Sequence, residues 1–305
     1  MKITVGMGSI DEYISFVEAG ADEVFIGYVP SYMKEFSALN RREVYFSNVQ
    51  IGARSELQIL SRMVDKYRIP VSITMNSLSY PESMYPYIKR MIDECLEDGF
   101  DTFIVADIHL LEYLKKERIL ERIRVHISGE IGELNSYTLK YLSSFSPSRI
   151  IFHRKVSLEN MVKLSTMNLE YEAFVLNENC HFHGGYCQSL HCDSLSHMCH
   201  LPYRMEKEVE TQFVEYEGLG SSGCGLCALW QLEQIGIQYG KLVSRGNFVE
   251  NTIEDIMSLK RALAIVKECL SEQEYVERMK KELFSYGCSG QCYFRNGQNG
   301  PFVKI

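Results

Sequence analysis

Residues 71–127, VSITMNSLSYPESMYPYIKRMIDECLEDGFDTFIVADIHLLEYLKKERILERIRVHI, hold three short β-rich apolar runs separated by two longer stretches with apolar residues at helical spacing. Val71–Met75, Thr102–Val105 and Arg124–Ile127 read as strands, and 84–98 and 108–120 as helices. Strands joined through a helix run parallel, because the helix carries the chain back to the starting edge. The pattern continues in both directions. Upstream, Ile3–Val5 and Glu23–Ile26 flank a helix at 10–19, and another helix covers 54–66. Downstream, Arg149–Phe152, Glu172–Val175 and Tyr239–Val243 alternate with helices at 134–145, 157–166, 226–235 and 253–284. Ser9 with Asp11 and Glu12 marks the start of the first helix, Gly20 its end, and Ser157 caps a later one. Eight strands alternating with eight helices predict an α/β fold of the (β/α)8 TIM-like barrel type, with a doubly wound open sheet as the alternative.

The chain has 305 residues, 46% hydrophobic and 24% charged, a composition that supports a large core and excludes disorder. Thirty-two Lys and Arg against 40 Asp and Glu give a net charge of −8, so nucleic acid is not attracted to the surface as a whole. An RNA substrate would need a confined basic patch. The opening MKITVGMGSIDEY carries acidic residues where a signal peptide needs an apolar run, and no stretch has the length and apolarity of a membrane span. The expectation is a cytoplasmic protein with no membrane contact.

Of ten cysteines only Cys95 precedes position 180. The expected layout is one barrel domain over 1–286, interrupted by a cysteine-rich insertion at 176–225 after the seventh strand, and a tail at 287–305. A loop that follows a barrel strand lies on the face where active sites are built. Cys180, Cys187, Cys192, Cys199, Cys224 and Cys227 are concentrated there, and in a reducing compartment such thiols act as soft metal ligands rather than disulfides. An iron–sulfur cluster and zinc both suit them. A zinc ribbon would show two tight pairs, whereas only Cys224-x-x-Cys227 is tight in the insertion. His181, His183, His191, His197 and His200 keep a mixed site open. Cys95 and Cys269 lie in amphipathic helices and read as core. His109 follows the fourth strand, and His126 and His153, in the fifth and sixth, point toward the barrel mouth or are structural.

From residue 3 to about 250 the chain resembles the peptidase U32 family, the collagenase-like proteins. VGMGSIDEYISFVEAGADEVFIG is similar to the family's opening, with Gly6 where a proline is usual, and VSITMNSL, GFDTFIVADIHLL, RVHIS, RIIFHRKVSLENM and LEYEAFV follow in family order. The family's cysteine pair with six residues between falls on Cys180 and Cys187. Its third cysteine falls on Cys199, with Arg204 five residues on, and its fourth on Cys224, twelve residues before Gly236. Lys241 and Arg245 occupy the family's lysine and arginine places. The resemblance implies that Cys180, Cys187, Cys199 and Cys224 hold a 4Fe-4S cluster, with zinc the less favoured occupant. It also implies chemistry of the kind found in better-studied branches, the oxygen-independent hydroxylation of an RNA base or a ubiquinone precursor. Tyr203 replaces a second family cysteine, Leu176-Asn177 stand for His-Gly, and Gly184-Gly185-Tyr186 for Ser-Gly-Arg, so those branches' substrates do not carry over.

The expected function is therefore an iron–sulfur-dependent enzyme that hydroxylates or otherwise modifies an RNA base, a small molecule or a peptide. The alternatives are a peptidase, which no G-x-S-x-G or H-E-x-x-H motif supports, and a non-catalytic cluster-bearing partner subunit. Lys241, Arg245, His126 and His153 are the candidate substrate-binding residues, the first two for an anionic group. Cys192, Cys227, Cys288 and Cys292 make up a candidate second site. The alternative is that the tail thiols are free or cover the barrel mouth, and Tyr293, Phe294 and Arg295 are candidates for touching substrate.

Overall fold

The structure, a computed structural model, describes residues 1–33, 43–44, 47–48, 50–132, 134–178, 218–285, 287–288 and 290–294. Eight parallel strands close into a barrel: β1 (Lys2–Gly6), β2 (Glu23–Tyr28), β3 (Val71–Met75), β4 (Thr102–Val105), β5 (Arg124–Ile127), β6 (Arg149–Ile151), β7 (Glu170–Leu176) and β8 (Tyr239–Leu242). Each pairs with the next in sequence, and β1 closes the ring by pairing with both β2 (Val5 opposite Val24) and β8 (Thr4 opposite Lys241). The expected barrel is the observed one. A two-residue strand, Gln50–Ile51, lengthens the pairing of β2 at its C-terminal end, and a small hairpin joins Glu43–Val44 to Ser47–Asn48. Neither has enough period to announce itself in the sequence.

The helices are α1 (Glu12–Ala19), α2 (Arg54–Tyr67), α3 (Tyr85–Glu97), α4 (Ile108–Lys116), α5 (Ser136–Leu142), α6 (Leu158–Leu164), α7 (Leu229–Ile235), α8 (Val249–Glu268) and α9 (Glu272–Leu283). Gly20 ends α1 with φ 116°, a value that favours glycine. The side chain of Ser157 accepts the N–H of Asn160 and caps α6. The single helix expected over 253–284 is in fact two. Ser271 accepts the N–H of Glu274, and the Glu274 carboxylate accepts the N–H of Leu270, a reciprocal cap that starts α9 afresh. Among the described residues no helix is long and apolar enough to cross a membrane.

Two apolar clusters follow from the strand period. Residues such as Val5, Val24, Ile26, Ile73, Phe103, Val125 and Ile150 face outward and pack with helix residues including Phe16, Leu57, Ile88, Leu110, Leu139 and Ile256. Cys95 and Cys269 are buried in this shell, the place expected from helical spacing. The smaller cluster fills the barrel: Phe25, Ile104, Ile151, Phe174 and Val243, one from each of β2, β4, β6 and β7 and one from the end of β8, with Tyr293 of the C-terminal tail packed onto them. Tyr293 is 9% exposed. Its hydroxyl donates to the Asn177 carbonyl. The tail is thus continuous with the barrel interior. Tyr293→Ala should lower unfolding free energy by about 3 kcal/mol, the cost of emptying an aromatic site. Phe248→Ala, at a residue 77% exposed, should stay within about 0.5 kcal/mol. Urea denaturation of both variants checks this, and equal losses would remove Tyr293 from the core.

Candidate functional site

Each inward-facing series climbs from a polar residue to an apolar one: Glu23 then Phe25, Arg149 then Ile151, Glu172 then Phe174, Lys241 then Val243. A charged layer therefore lies beneath the apolar one. Within it the Arg149 guanidinium donates to both Glu23 oxygens (2.9 and 2.8 Å) across the barrel, to Glu172 (2.8 Å) and to Glu170 (3.1 Å). Lys241 donates to the other Glu172 oxygen at 2.7 Å, and Ser72 to Glu23 at 3.0 Å. Aromatic faces complete the shell, with the guanidinium 3.4 Å from the Tyr239 ring centre and Lys241 Nζ 3.7 Å from that of Phe25. Burial would raise the Glu172 carboxyl, but the adjoining Lys241 and Arg149 charges outweigh it and bring it down to about 2. Burial lowers Lys241, an effect that the Glu172 charge opposes.

His126 belongs to this layer. Its ring is 3% exposed, and Nδ1 meets no hydrogen-bond partner. Burial, reinforced by the Arg149 charge, pushes its pKa well below 6.5, so it is neutral at pH 7.

The next level up is the C-terminal mouth, where barrel enzymes place their chemistry. Arg245, just beyond β8, reaches Thr74 Oγ1 on β3 (3.3 Å). His153 and Arg154 follow β6 and are buried. Arg154 lies 3.9 Å from the Phe174 ring centre, donates to Glu130 (3.0 Å) and stands 3.9 Å from Glu178. Asn177 and Glu178, at the end of β7, both have left-handed backbone (φ 66° and 52°), a conformation that costs a non-glycine residue free energy and clusters at working sites. Hydrogen bonds hold them there: the Asn177 N–H to the Gly223 carbonyl (2.8 Å), its side-chain amide to Asp255 of α8 (2.7 Å), and the Glu178 N–H to Ser222 Oγ (3.1 Å). Burial moves Asp255 up to about 6.

The four substrate-binding candidates thus separate by level. Arg245 and His153 reach the mouth, while Lys241 and His126 lie in the charged layer below the apolar ring. Arg154 was missed in the sequence, although it adjoins His153 in FHR and its arginine at a strand end was the available signal.

Cys180, Cys187, Cys192 and Cys199, the five histidines of the insertion and Arg295 lie outside the described residues. Cys224 is described and buried at the mouth. It bridges Leu176 on one side and Cys292 of the tail on the other. Its N–H donates to the Gln291 carbonyl, and its carbonyl accepts from Tyr293 (both 2.8 Å). The Leu226 N–H is hydrogen-bonded to its sulfur, and Gly220 packs so close that an added Cβ would stand 2.7 Å from Cys224 Cβ. Cys227 occupies the 3-10 turn Leu226–Ala228. Among the described residues no three His, Cys, Asp or Glu groups already converge at metal-binding spacing.

The family model for peptidase family U32 matches residues 8–299. The chain belongs to this family. Among solved structures it is similar to the U32 peptidase Mk0906, at 13% identity over 57% of this chain and 69% of that one, with TM-score 0.44. It is also similar to a thiamine phosphate pyrophosphorylase from Pyrococcus furiosus, at 10% identity over 88% and 97% with TM-score 0.47. A phosphoribosyl anthranilate isomerase from Thermus thermophilus matches at 7% identity over 86% and 100%, with TM-score 0.47.

The charged layer of this U32 protein makes a measurable demand on pH. A carboxyl depressed by folding contributes stability that is present above its unfolded pKa, near 4.5, and is lost as pH falls toward 2. Glu172→Gln should cost about 3–5 kcal/mol at pH 7, because it leaves Lys241 buried without its carboxylate. It should also flatten the acid loss between pH 4.5 and 2. Thermal unfolding of both proteins across that range checks the sign, and parallel slopes would show that Glu172 is not depressed.

Proposed function

We propose that this U32 protein is an iron–sulfur-dependent enzyme that modifies its substrate at the C-terminal mouth of the barrel, by oxygen-independent hydroxylation or a related reaction. The observation that carries the reading is the position of Cys224, whose buried thiol sits at the mouth beside the end of β7. Glu178, at the end of β7, is held to Ser222, and Cys180 is two residues further in sequence. The surroundings of Cys224 suit a ligating sulfur, since a backbone N–H is directed at it and Gly220, lacking a Cβ, packs directly against its side chain. The family resemblance supplies Cys180, Cys187 and Cys199 as the other thiolates, and a 4Fe-4S cluster bound by them would supply one-electron chemistry.

The chain's own residues have separable tasks in this reading. Arg245 binds an anionic substrate group from the β8 side and Arg154 faces it from the β6 side, the first pre-oriented by the Phe25 ring and Thr74, the second by the Phe174 ring and Glu130. His153 lies between strand end and substrate as a polar orienting group. Phe25, Phe174 and Tyr293 form a dry floor that keeps water from the charged layer. Lys241 and His126, below that floor, hold the charge pattern of the interior in place. The substrate class that fits is a small molecule, peptide or exposed RNA base carrying an anion, and a partner subunit that delivers electrons is compatible with the exposed outer surface.

Anaerobically purified protein should be brown, with iron and acid-labile sulfide in near-equal amounts. Cys180→Ala, Cys187→Ala, Cys199→Ala or Cys224→Ala should remove most of the visible absorption, while Cys95→Ala and Cys269→Ala retain it. Zinc without iron would sink the proposal, and an iron-free preparation that cleaves peptides would replace it with the hydrolase reading that the family name carries.

A further inference from the structure

The C-terminal tail runs over the surface before it turns into the mouth. Beyond α9, Ser285, Gly287, Cys288, Gly290 and Gln291 are exposed, Cys292 is half-buried and Tyr293 is buried. The Tyr293 ring joins Phe25, Ile151 and Phe174 in the barrel's apolar ring, and its hydroxyl donates to the Asn177 carbonyl. Arg154 meets the same place, 3.9 Å from the Phe174 ring centre and 3.9 Å from the carboxylate of Glu178, the residue after Asn177. Its guanidinium is hydrogen-bonded to the Tyr293 hydroxyl. One of the two arginines assigned to a substrate anion, and the apolar floor beside it, are thus covered by a residue of this chain. We propose that the tail is an intramolecular strap that closes the mouth by seating Tyr293 beside Arg154, and that an anionic substrate enters by displacing it. This strap rests on the functional reading above, which takes the mouth as the site and Arg154 as an anion binder, and adds the regulation of that site.

The seat is built for the tail. Gly225 has φ −118°, a value any residue adopts, yet an added Cβ there would stand 3.0 Å from the Phe294 ring and 3.3 Å from that of Tyr293. Its missing side chain is what gives the two aromatics their place. The attachment beside the ring is to main chain: the Cys224 N–H donates to the Gln291 carbonyl and the Tyr293 N–H to the Cys224 carbonyl, both at 2.8 Å. These bonds leave the Cys224 sulfur to the proposed cluster, so the strap moves without exchanging a ligand.

The root of the tail is fixed and its span is not. Tyr275 of α9 is buried and donates to the Leu226 carbonyl at 2.6 Å, which anchors the helix. Gly287 and Gly290 have φ 103° and 71°, and an added Cβ at either would meet nothing within 4 Å. An exposed segment that ends in one buried ring opens locally, below the free energy of global unfolding. Opening exchanges one occupant for another. When Tyr293 leaves, the place over Phe25 and Phe174 empties and Arg154 loses a neutral partner, so a group with an apolar body and an anion restores both contacts. While the strap is closed, apparent affinity falls by the fraction of molecules that are open.

The test uses inorganic phosphate as the anion and the full-length protein isolated without oxygen, with binding followed by calorimetry at constant ionic strength. Tyr293→Phe keeps the ring and removes the hydroxyl bonded to Arg154, so it should bind phosphate about tenfold more tightly than wild type. Arg154→Gln in the Tyr293→Phe background should abolish the gain. Equal affinity of wild type and Tyr293→Phe overturns the strap and leaves the anion seat standing. If neither binds phosphate, the anion seat of the functional reading falls and the competition falls with it. Hydrogen exchange on the wild-type protein is the second measurement. The amides of Cys224 and Tyr293 should exchange together, at least about 100-fold faster than those of β4, and added phosphate should speed them further. Exchange no faster than that of β4, or unchanged or slowed by phosphate, overturns the strap. Iron and acid-labile sulfide contents judge the cluster separately.

Discussion

The guanidinium of Arg149 organises the inside of this barrel. It is 2% exposed and reaches from β6 across to Glu23 on β2 while also holding Glu172 and Glu170 on β7. A buried charge survives only when its donors and acceptors are matched, so three carboxylates, Lys241 and two aromatic faces have to be where they are. Replacing such a network by apolar side chains need not cost stability. Its consequence is positional: a strand slipped by one residue would turn a charge toward the helices, so the pattern fixes the register of β2, β6, β7 and β8 together. Everything above this layer inherits that register, including the apolar ring and the residues of the mouth.

The strands were legible because each is a short run of β-branched and aromatic residues bounded by turn signals, and a barrel buries those runs on the outside against helices. What the sequence hid is the identity of the inner face. In EVFIGY and EYEAFVL nothing nearby in sequence shows that Glu23 and Glu172 point inward, because each is satisfied by a residue 126 or 23 positions away. Pairings at that separation leave no local trace. Lys241 was attractive as an anion binder for the same reason, since nothing near it in sequence reveals Glu172. The break at Ser271 was readable, because serine with glutamate three residues on is a start signal, but the surrounding period ran through it and concealed it.

The mouth was legible only in part. Arg245 and His153 fall one inward step above the apolar ring, as expected for positions at strand ends. Arg154 and Tyr293 gain their place from contacts that sequence order does not suggest: one with Glu130 and Phe174, the other with Asn177 across 116 positions. The tail's two tight cysteines were visible as a pair. Their neighbour Cys224 was not, because that pairing depends on backbone hydrogen bonds between Gln291, Cys224 and Tyr293.

Those bonds make Cys224 a mechanical junction as well as a candidate ligand. Through its N–H and carbonyl it holds the tail, through Leu176 it adjoins β7, and Tyr293, one residue past its bridge partner, packs on the barrel's apolar ring. Tyr293 also holds the carbonyl of Asn177, whose amide is tied to Asp255 and whose left-handed backbone begins the departure of the insertion. A short path of direct contacts therefore joins the sulfur of Cys224 to the floor of the mouth and to the root of the insertion. Any occupant of that sulfur acts on all three at once, because the connecting groups are backbone bonds and a buried ring with little freedom to absorb a shift. Were the proposed cluster held at this sulfur, its binding and access to the mouth would be coupled through these contacts.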